Sequence, residues 1–198
     1  MSSSTSALQQ KNAKHLIQSF SDLSYIKNPE STHIISRADG VYIYDNDGKK
    51  ILDSMSGLWC VNMGYGQQSI IEAVNDQMKE LVYYNNFFGS SHPSAIKLSE
   101  MIADKTPEGM NKVYFCGSGS EANDTVVRLA RHYWAARGNP SKSVIISRTN
   151  AYHGSTMAGA SLGGMSAMHS QGGLPIADIE HIDQPYYYDA CVEAGGKI

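Results

Sequence analysis

The stretch VYFCGSGSEAND, residues 113–124, decides the fold class of this chain. Its apolar start leads into two glycines and two serines, and helical periodicity then continues to about Arg137, closed by Gly138. A second apolar run, SVIIS, follows at 143–147. Strand, helix and strand in this order predict a βαβ unit and therefore a parallel sheet. We expect an α/β fold.

The glycine turn between the first predicted strand and the helix is suited to an anion. Ser118 and Glu121 fit the S-x-x-E capping box, in which each side chain pairs with a free backbone N–H. Gly117 and Gly119 let the backbone approach a ligand closely, and the positive end of the helix dipole favours a phosphate at that point. A well-capped helix without any ligand is the alternative explanation.

Two ligand classes fit the spacing of the glycines. The run 117–122 matches G-x-G-x-x-A, which is typical of a dinucleotide site. Such a fingerprint normally follows the first strand of its domain and has an acidic residue about twenty positions further on. Here more than a hundred residues precede it, and the second strand ends in Arg148, which would require a 2′-phosphate. The other class is a single phosphate carried by an aromatic cofactor.

The loop after the second predicted strand favours the aromatic cofactor. In NAYHGST, residues 150–156, Tyr152, His153 and Gly154 follow the carboxyl end of that strand. Ligands of open α/β sheets bind at this edge, so the Tyr152 ring could lie over a ligand held at Ser118 to Ser120. A tyrosine and a histidine on an ordinary surface loop are the alternative.

Upstream of residue 113 the sequence predicts a helix, a small antiparallel meander and two further helices. Leu8, Leu16, Ile17 and Phe20 recur at helical spacing. The short runs HIIS, VYIY and KKILD, separated by ADG and DNDG, predict strands joined by tight turns. Helices are predicted from 69 to 83 and from Pro93 to a stop before 107–109.

Composition excludes several function classes. The 198 residues carry a net charge of −3, and the arginines are scattered, so nucleic acid is not an expected partner. The sequence shows neither a signal peptide nor a membrane span, which favours a cytoplasmic protein. The histidines lack metal-ligand spacing, so no metal site is expected. We interpret the cysteines as reduced core thiols: Cys60, Cys116 and Cys191.

These motifs together resemble one known family. FCGSGSEAND and AYHGST, preceded by D-x-x-S-G-L-W at 53–59 and G-Y-G at 64–66, are similar to the N-terminal half of class III, or omega, aminotransferases. The resemblance covers nearly the whole chain from the DGVYIYDNDGKKILD hairpin onward. It implies pyridoxal 5′-phosphate as cofactor, the aspartate aminotransferase fold with a mostly parallel three-layer α/β/α domain, and a homodimer with its active sites at the interface.

The resemblance also implies roles for individual residues. Gly119 and Ser120, with Ser118 beside them, would hold the cofactor phosphate. Tyr152 would stack on the pyridine ring, and His153 would help to fix that wall of the pocket. The implied walls of the substrate pocket are Leu58, Trp59 and Phe88, of which Phe88 would face the neighbouring subunit's site.

The catalytic group is not among the matched motifs. The family's Schiff-base lysine is expected beyond Ile198, and Lys79, Lys97, Lys105 and Lys142 match no such motif. We therefore expect an N-terminal portion, inactive alone, of an enzyme that moves an amino group from an amine or ω-amino acid to an oxo acid such as pyruvate. A non-catalytic binding or assembly module is one alternative, and an NADP-binding oxidoreductase is another.

The same comparison implies a division of the chain. Residues 1–65 would form a helix and hairpin belonging to the small domain. Residues 66–198 would form the first part of the large cofactor-binding domain.

Overall fold

The structure is a computed structural model and describes residues 4–186. The chain divides into two compact units, Met1–Pro93 and Ser94–Ile198, and each is described here by itself. The predicted domain boundary after residue 65 stays a prediction. The two compact units are defined by contacts within this chain alone, and such units need not coincide with the domains of a family.

The first unit combines short helices with an antiparallel sheet. Its helices are α1 Thr5–His15, α2 Leu23–Ile26 and α4 Gln68–Glu80, together with α3 Ser56–Trp59, which is a single left-handed turn, and the 3₁₀ helix Pro29–Ser31. Its strands are β1 Ile35–Asp39, β2 Tyr42–Asp45 and β3 Lys50–Leu52.

The predicted meander is confirmed. β2 lies between β1 and β3 and pairs antiparallel with both. Asp39 faces Tyr42, so the first loop has only two residues, and Gly40 adopts a φ of +57° there. Gly40 also exchanges both backbone hydrogen bonds with Tyr65, which ties the later segment to this hairpin. The turn chemistry of the sequence therefore fixes the register.

The prediction of a first helix reaching Phe20 is wrong. α1 ends at His15 with Leu16 as its C-cap, and none of its residues is buried. Phe20 has a φ of +54°, which is outside the range of a right-handed α-helix, and the chain restarts at α2 with Asp22 as N-cap. Serine and aspartate favour caps and turns over helix interiors, which explains the break between the two helices.

The second unit holds the glycine turn and a parallel pair of strands. Its elements are α5 Pro93–Ala103, which begins at the unit boundary, then α6 Gly119–Ala136, β4 Ile145–Arg148, α7 Met157–Leu162, α8 Ser166–His169 and β5 Ile179–Ile182. The predicted helices from 69, 93 and 120 are confirmed, and Pro93 opens α5 as expected. Gly138 follows α6 with a φ of +78°, the usual conformation of a glycine that ends a helix.

The predicted strand VYFC is not formed. Residues 113–116 have no ladder pairing, because a strand needs a neighbour and the described residues provide none there. The parallel pair is instead β4 with β5, in register from Ile145 opposite Ile179 to Arg148 opposite Ile182. α7 and α8 form the crossover between them, so this βαβ unit begins one strand later than predicted.

Apolar residues of α6, α7 and β5 form the buried centre of the second unit. Val127, Ala158, Leu162 and Ile179 are each at most 9% exposed. Arg131 anchors α6 to the segments before both strands, donating to the carbonyls of Ser143, Ala177 and Asp178. These contacts fix the second half of α6 relative to the segments that lead into β4 and β5.

Candidate functional site

The capping of α6 follows the sequence prediction with one difference. Ser118 is the N-cap, and its Oγ accepts a hydrogen bond from the Glu121 amide at 3.1 Å. The Glu121 carboxylate reaches back to the amide of Gly117, at 2.8 Å, instead of the amide of Ser118. The carboxylate is therefore bonded one residue before the N-cap, and it does not cover the amides at the tip of the turn.

Four donors converge at this tip. The amides of Gly119 and Ser120 are the first two of α6, and neither has a partner among the described residues. The hydroxyls of Ser118 and Ser120 accept hydrogen bonds, from Glu121 and Ser155 respectively, and each keeps its hydrogen available for donation. With the helix dipole, these groups form an anion-binding arrangement.

The loop after β4 lies directly against the glycine turn. The Ser155 amide donates to Ser120 Oγ at 3.1 Å. Gly154, with a φ of +126°, approaches so closely that an added Cβ would lie 2.5 Å from Ser120 Oγ and 2.8 Å from Ser120 Cα. The sequence prediction that these two segments are neighbours is confirmed.

Three residues that the sequence analysis did not assign hold the two segments together. Asn123 Nδ2 donates to the His153 carbonyl at 2.6 Å. Asp124 Oδ1 accepts from Thr156 Oγ1 at 2.6 Å and from the Gly159 amide at 3.1 Å. Asn123 and Asp124 follow Ser120 by three and four residues, which places all three on one face of the helix. This spacing could have identified them from the sequence.

Tyr152 and His153 lie on this same loop. The Tyr152 side chain is 55% exposed, and His153 is also exposed while its carbonyl is held by Asn123. The backbone of the loop is therefore fixed against α6 and the two rings remain accessible. Their predicted roles in cofactor binding stay predictions.

In the first unit, Leu58 and Trp59 lie on the left-handed turn α3. The φ values of Ser56, Gly57, Leu58 and Trp59 are 49°, 60°, 67° and 66°. This conformation costs about 1–2 kcal/mol for each residue that is not glycine. Leu58 is 63% exposed and Trp59 is 78% exposed, so packing within this unit does not explain the strain.

The Asp53 carboxylate holds α3 in place. Its Oδ2 accepts from the Gly57 amide and from the Tyr65 hydroxyl, each at 2.7 Å, and its Oδ1 accepts from the Met55 amide at 3.2 Å. These donors stabilise the charged carboxylate, and the Tyr65 hydrogen bond is the main cause of the lowered pKa of Asp53. The same bond raises the pKa of Tyr65, since ionised phenol would face the carboxylate.

Phe88 also has an unusual backbone. Its φ is 55°, its side chain is fully exposed, and its ring contacts that of Phe87 at a centroid distance of 6.0 Å. Its predicted role as a pocket wall stays a prediction.

The interpretation of the three cysteines as core thiols has a mixed outcome. Cys60 is exposed, so its interpretation as a core thiol is wrong; its Sγ donates to the Gly57 carbonyl. Cys116 is half-buried and free, and Cys191 lies outside the described residues. Within residues 4–186, no group of three metal-ligating side chains occurs, and no helix there has the length and apolarity to cross a membrane.

A groove of about 620 Å³ runs beside α6 and α7. Glu121, Asp124, Arg128 and Met157 contribute to its lining, whereas Ser118, Ser120 and Tyr152 do not. The donors at the tip of the glycine turn point to an anion more directly than this groove does, so we place the candidate site at the tip.

Comparison with known families gives a match over most of the chain. The family described as aminotransferase class-III matches residues 25–195.

Curated relatives agree with this match. A putrescine–pyruvate aminotransferase of Pseudomonas aeruginosa is 56% identical over 174 residues, which are 88% of this chain and 38% of that protein. A diaminobutyrate–2-oxoglutarate transaminase of Halomonas elongata is 42% identical over 163 residues, 82% of this chain and 35% of that protein. The chain thus spans less than half the length of either relative.

Solved structures share the fold. A transaminase from the marine bacterium Virgibacillus superposes with a TM-score of 0.87 at 37% identity, covering 96% of this chain and 45% of that one. The predicted α/β fold, that of pyridoxal-phosphate aminotransferases, is confirmed.

Proposed function

Because this chain belongs to the class-III aminotransferase family, we propose that the full-length protein carrying it is a pyridoxal-phosphate-dependent transaminase. It moves an amino group from an amine or ω-amino acid to an oxo acid such as pyruvate. The names of the two relatives, which pair diamines or diamino acids with pyruvate or 2-oxoglutarate, support this substrate class. The observation that carries the proposal is the contact between Ser120 and the loop containing Tyr152.

The donors at the tip of α6 fit the phosphate of the cofactor. The Gly119 and Ser120 amides and the Ser118 and Ser120 hydroxyls supply up to four hydrogen bonds to one anion. A hydrogen bond to a charged group contributes about 1.5–3 kcal/mol. The positive end of the helix dipole adds to the same attraction. The Glu121 carboxylate does not occupy the tip, because it is directed to the Gly117 amide.

The loop after β4 provides the wall of the cofactor site. Because Asn123 and Ser120 hold the backbone of this loop, Tyr152 would pack on the cofactor ring, and His153 would support that wall. When bound, pyridoxal phosphate supplies the electron-withdrawing ring that stabilises negative charge on the reacting carbon. Leu58, Trp59 and Phe88 form walls of the substrate pocket and orient the amine.

The assembly and location are part of the same proposal. The full-length protein is a cytoplasmic homodimer, and Phe88 faces the partner's site. Phe88 is fully exposed and has a left-handed backbone, and among the aromatic rings of residues 4–186 its ring contacts only that of Phe87. This exposure supports the proposal that a surface from outside this unit covers the Phe88 side chain.

The activity is tested by supplying the full-length protein with pyridoxal phosphate, putrescine as donor and pyruvate as acceptor. We expect alanine to form in proportion to the putrescine consumed, and no alanine without the donor. Cofactor binding is followed separately by the absorbance of the protein-bound ring. A protein that binds the cofactor and forms no alanine from any primary amine tried would contradict the transaminase assignment.

A further inference from the structure

The strained turn α3 presents its two large side chains outward. Leu58 and Trp59 have left-handed backbones and are mostly exposed, whereas a Cβ at Gly57 would face Val61 and Tyr65. An alanine Cβ at Gly57 would lie 2.6 Å from Val61 Cγ2 and 3.1 Å from the Tyr65 hydroxyl. Strained non-glycine residues persist only where their surroundings over-determine them, and they cluster at ligand-contacting sites.

The surroundings that determine α3 are Asp53 and Tyr65, which we call the clamp. The Asp53 carboxylate joins the Gly57 amide and the Tyr65 hydroxyl through the same oxygen, with both distances at 2.7 Å. Both clamp residues are tied to the β1–β2 loop: the Asp53 amide donates to the Val41 carbonyl, and Tyr65 pairs with Gly40. The turn is therefore fixed to the sheet through two side chains.

We propose that Asp53 and Tyr65 are positioning residues that hold Leu58 and Trp59 as a rigid wall, and that this rigidity excludes bulky amine donors. The inference rests on the proposed function, since it takes the substrate to be an amine that contacts Trp59. The clamp residues touch no substrate themselves. They act by fixing the backbone of α3, so that Trp59 cannot retreat from a larger group.

The test compares two donors, putrescine and the bulkier benzylamine, in the full-length cofactor-loaded protein. Tyr65→Phe removes only the hydroxyl that donates to Asp53. We expect the ratio of kcat/KM for benzylamine to kcat/KM for putrescine to rise about tenfold, the size of effect that a modest change in pocket shape produces. The change should lie mainly in KM for benzylamine. Cofactor affinity should not change, because the phosphate donors belong to the other unit.

Tyr42→Phe is the matched control. Tyr42 lies in β2 of the same unit, where its ring stacks under the Lys50 ammonium, and its hydroxyl has no partner within residues 4–186. Removing that hydroxyl should leave the donor ratio unchanged. Asp53→Asn, which keeps the shape and removes the charge, is the second variant and should shift the ratio in the same direction as Tyr65→Phe.

A double-mutant cycle separates positioning from general stability. In a Trp59→Ala background the wall is already absent, so Tyr65→Phe should no longer change the donor ratio. An unchanged ratio in Tyr65→Phe and Asp53→Asn, or an equal change with and without Trp59, would overturn the inference and leave the transaminase proposal intact. If neither variant folds, the clamp is a requirement of folding, and its role in donor selection is also rejected. Absence of transamination in the unmodified protein would instead reject the function on which the inference rests.

Discussion

Replacing Gly154 by alanine is expected to lower the affinity of the full-length protein for pyridoxal phosphate by about 100-fold. The added Cβ would lie within 3 Å of three atoms of Ser120, and the φ of +126° is unfavourable for any residue with a side chain. A residue held in such a conformation costs about 1–3 kcal/mol. Relief requires the loop to move away from α6, which breaks the Ser155–Ser120 hydrogen bond and displaces Tyr152.

The affinity is measured by titrating the cofactor-free protein and following the absorbance of the bound ring. Gly138→Ala is the matched control, because Gly138 also has a positive φ, +78°, with no atom within 4 Å of the added Cβ. It should lower the melting temperature slightly and leave cofactor affinity unchanged. Equal affinities for unmodified protein and Gly154→Ala would show that the approach of the loop to Ser120 does not build the site.

The largest loss of stability is expected from Gly164→Ala. The added Cβ would overlap the Arg148 carbonyl and lie 2.5 Å from Thr149 Cα and 2.6 Å from the Asn150 nitrogen. All three are backbone atoms at the end of β4, and Gly164 exchanges backbone hydrogen bonds with Asn150 and Ala151 there. We expect the free energy of unfolding to fall by about 3 kcal/mol or more, since the clash cannot be relieved by rotating a side chain.

Chemical denaturation of the full-length protein measures this loss. The neighbouring Gly163→Ala is its control, because the nearest atoms to that Cβ, the carbonyl oxygens of Ala160 and Ala151, lie at 3.2 Å and 3.3 Å. Gly163→Ala should lower the free energy of unfolding clearly less than Gly164→Ala does. Similar midpoints for the two variants would mean that the segment after α7 is not packed on the end of β4 as described.

Local chemistry was sufficient to predict most helices and the meander. Ser118, Gly138 and Pro93 each act within a few residues of the helix end that they define, so their effect is visible in the sequence. The prediction of a strand at VYFC was wrong because strand formation depends on a partner that is distant in the sequence, and local chemistry does not reveal that partner. β5 was missed because four residues, Ile179–Ile182, carry too little pattern to stand out.

The candidate site was predictable in part. The glycine turn and the loop with Tyr152 were found because each has its own motif. The contacts between them were not found, since Asn123 meets the His153 carbonyl, and Asp124 meets Thr156, only after folding. The left-handed backbone of α3 was also missed, because three of its four residues are not glycine and no local preference favours that conformation.

The most direct test of the account is a crystal structure of the full-length protein with pyridoxal phosphate bound. We predict phosphate oxygens within hydrogen-bonding distance of the Gly119 and Ser120 amides, and the Tyr152 ring stacked on the pyridine ring. A phosphate bound away from the start of α6, or a Tyr152 ring that does not face the cofactor, would contradict the assignment of this site.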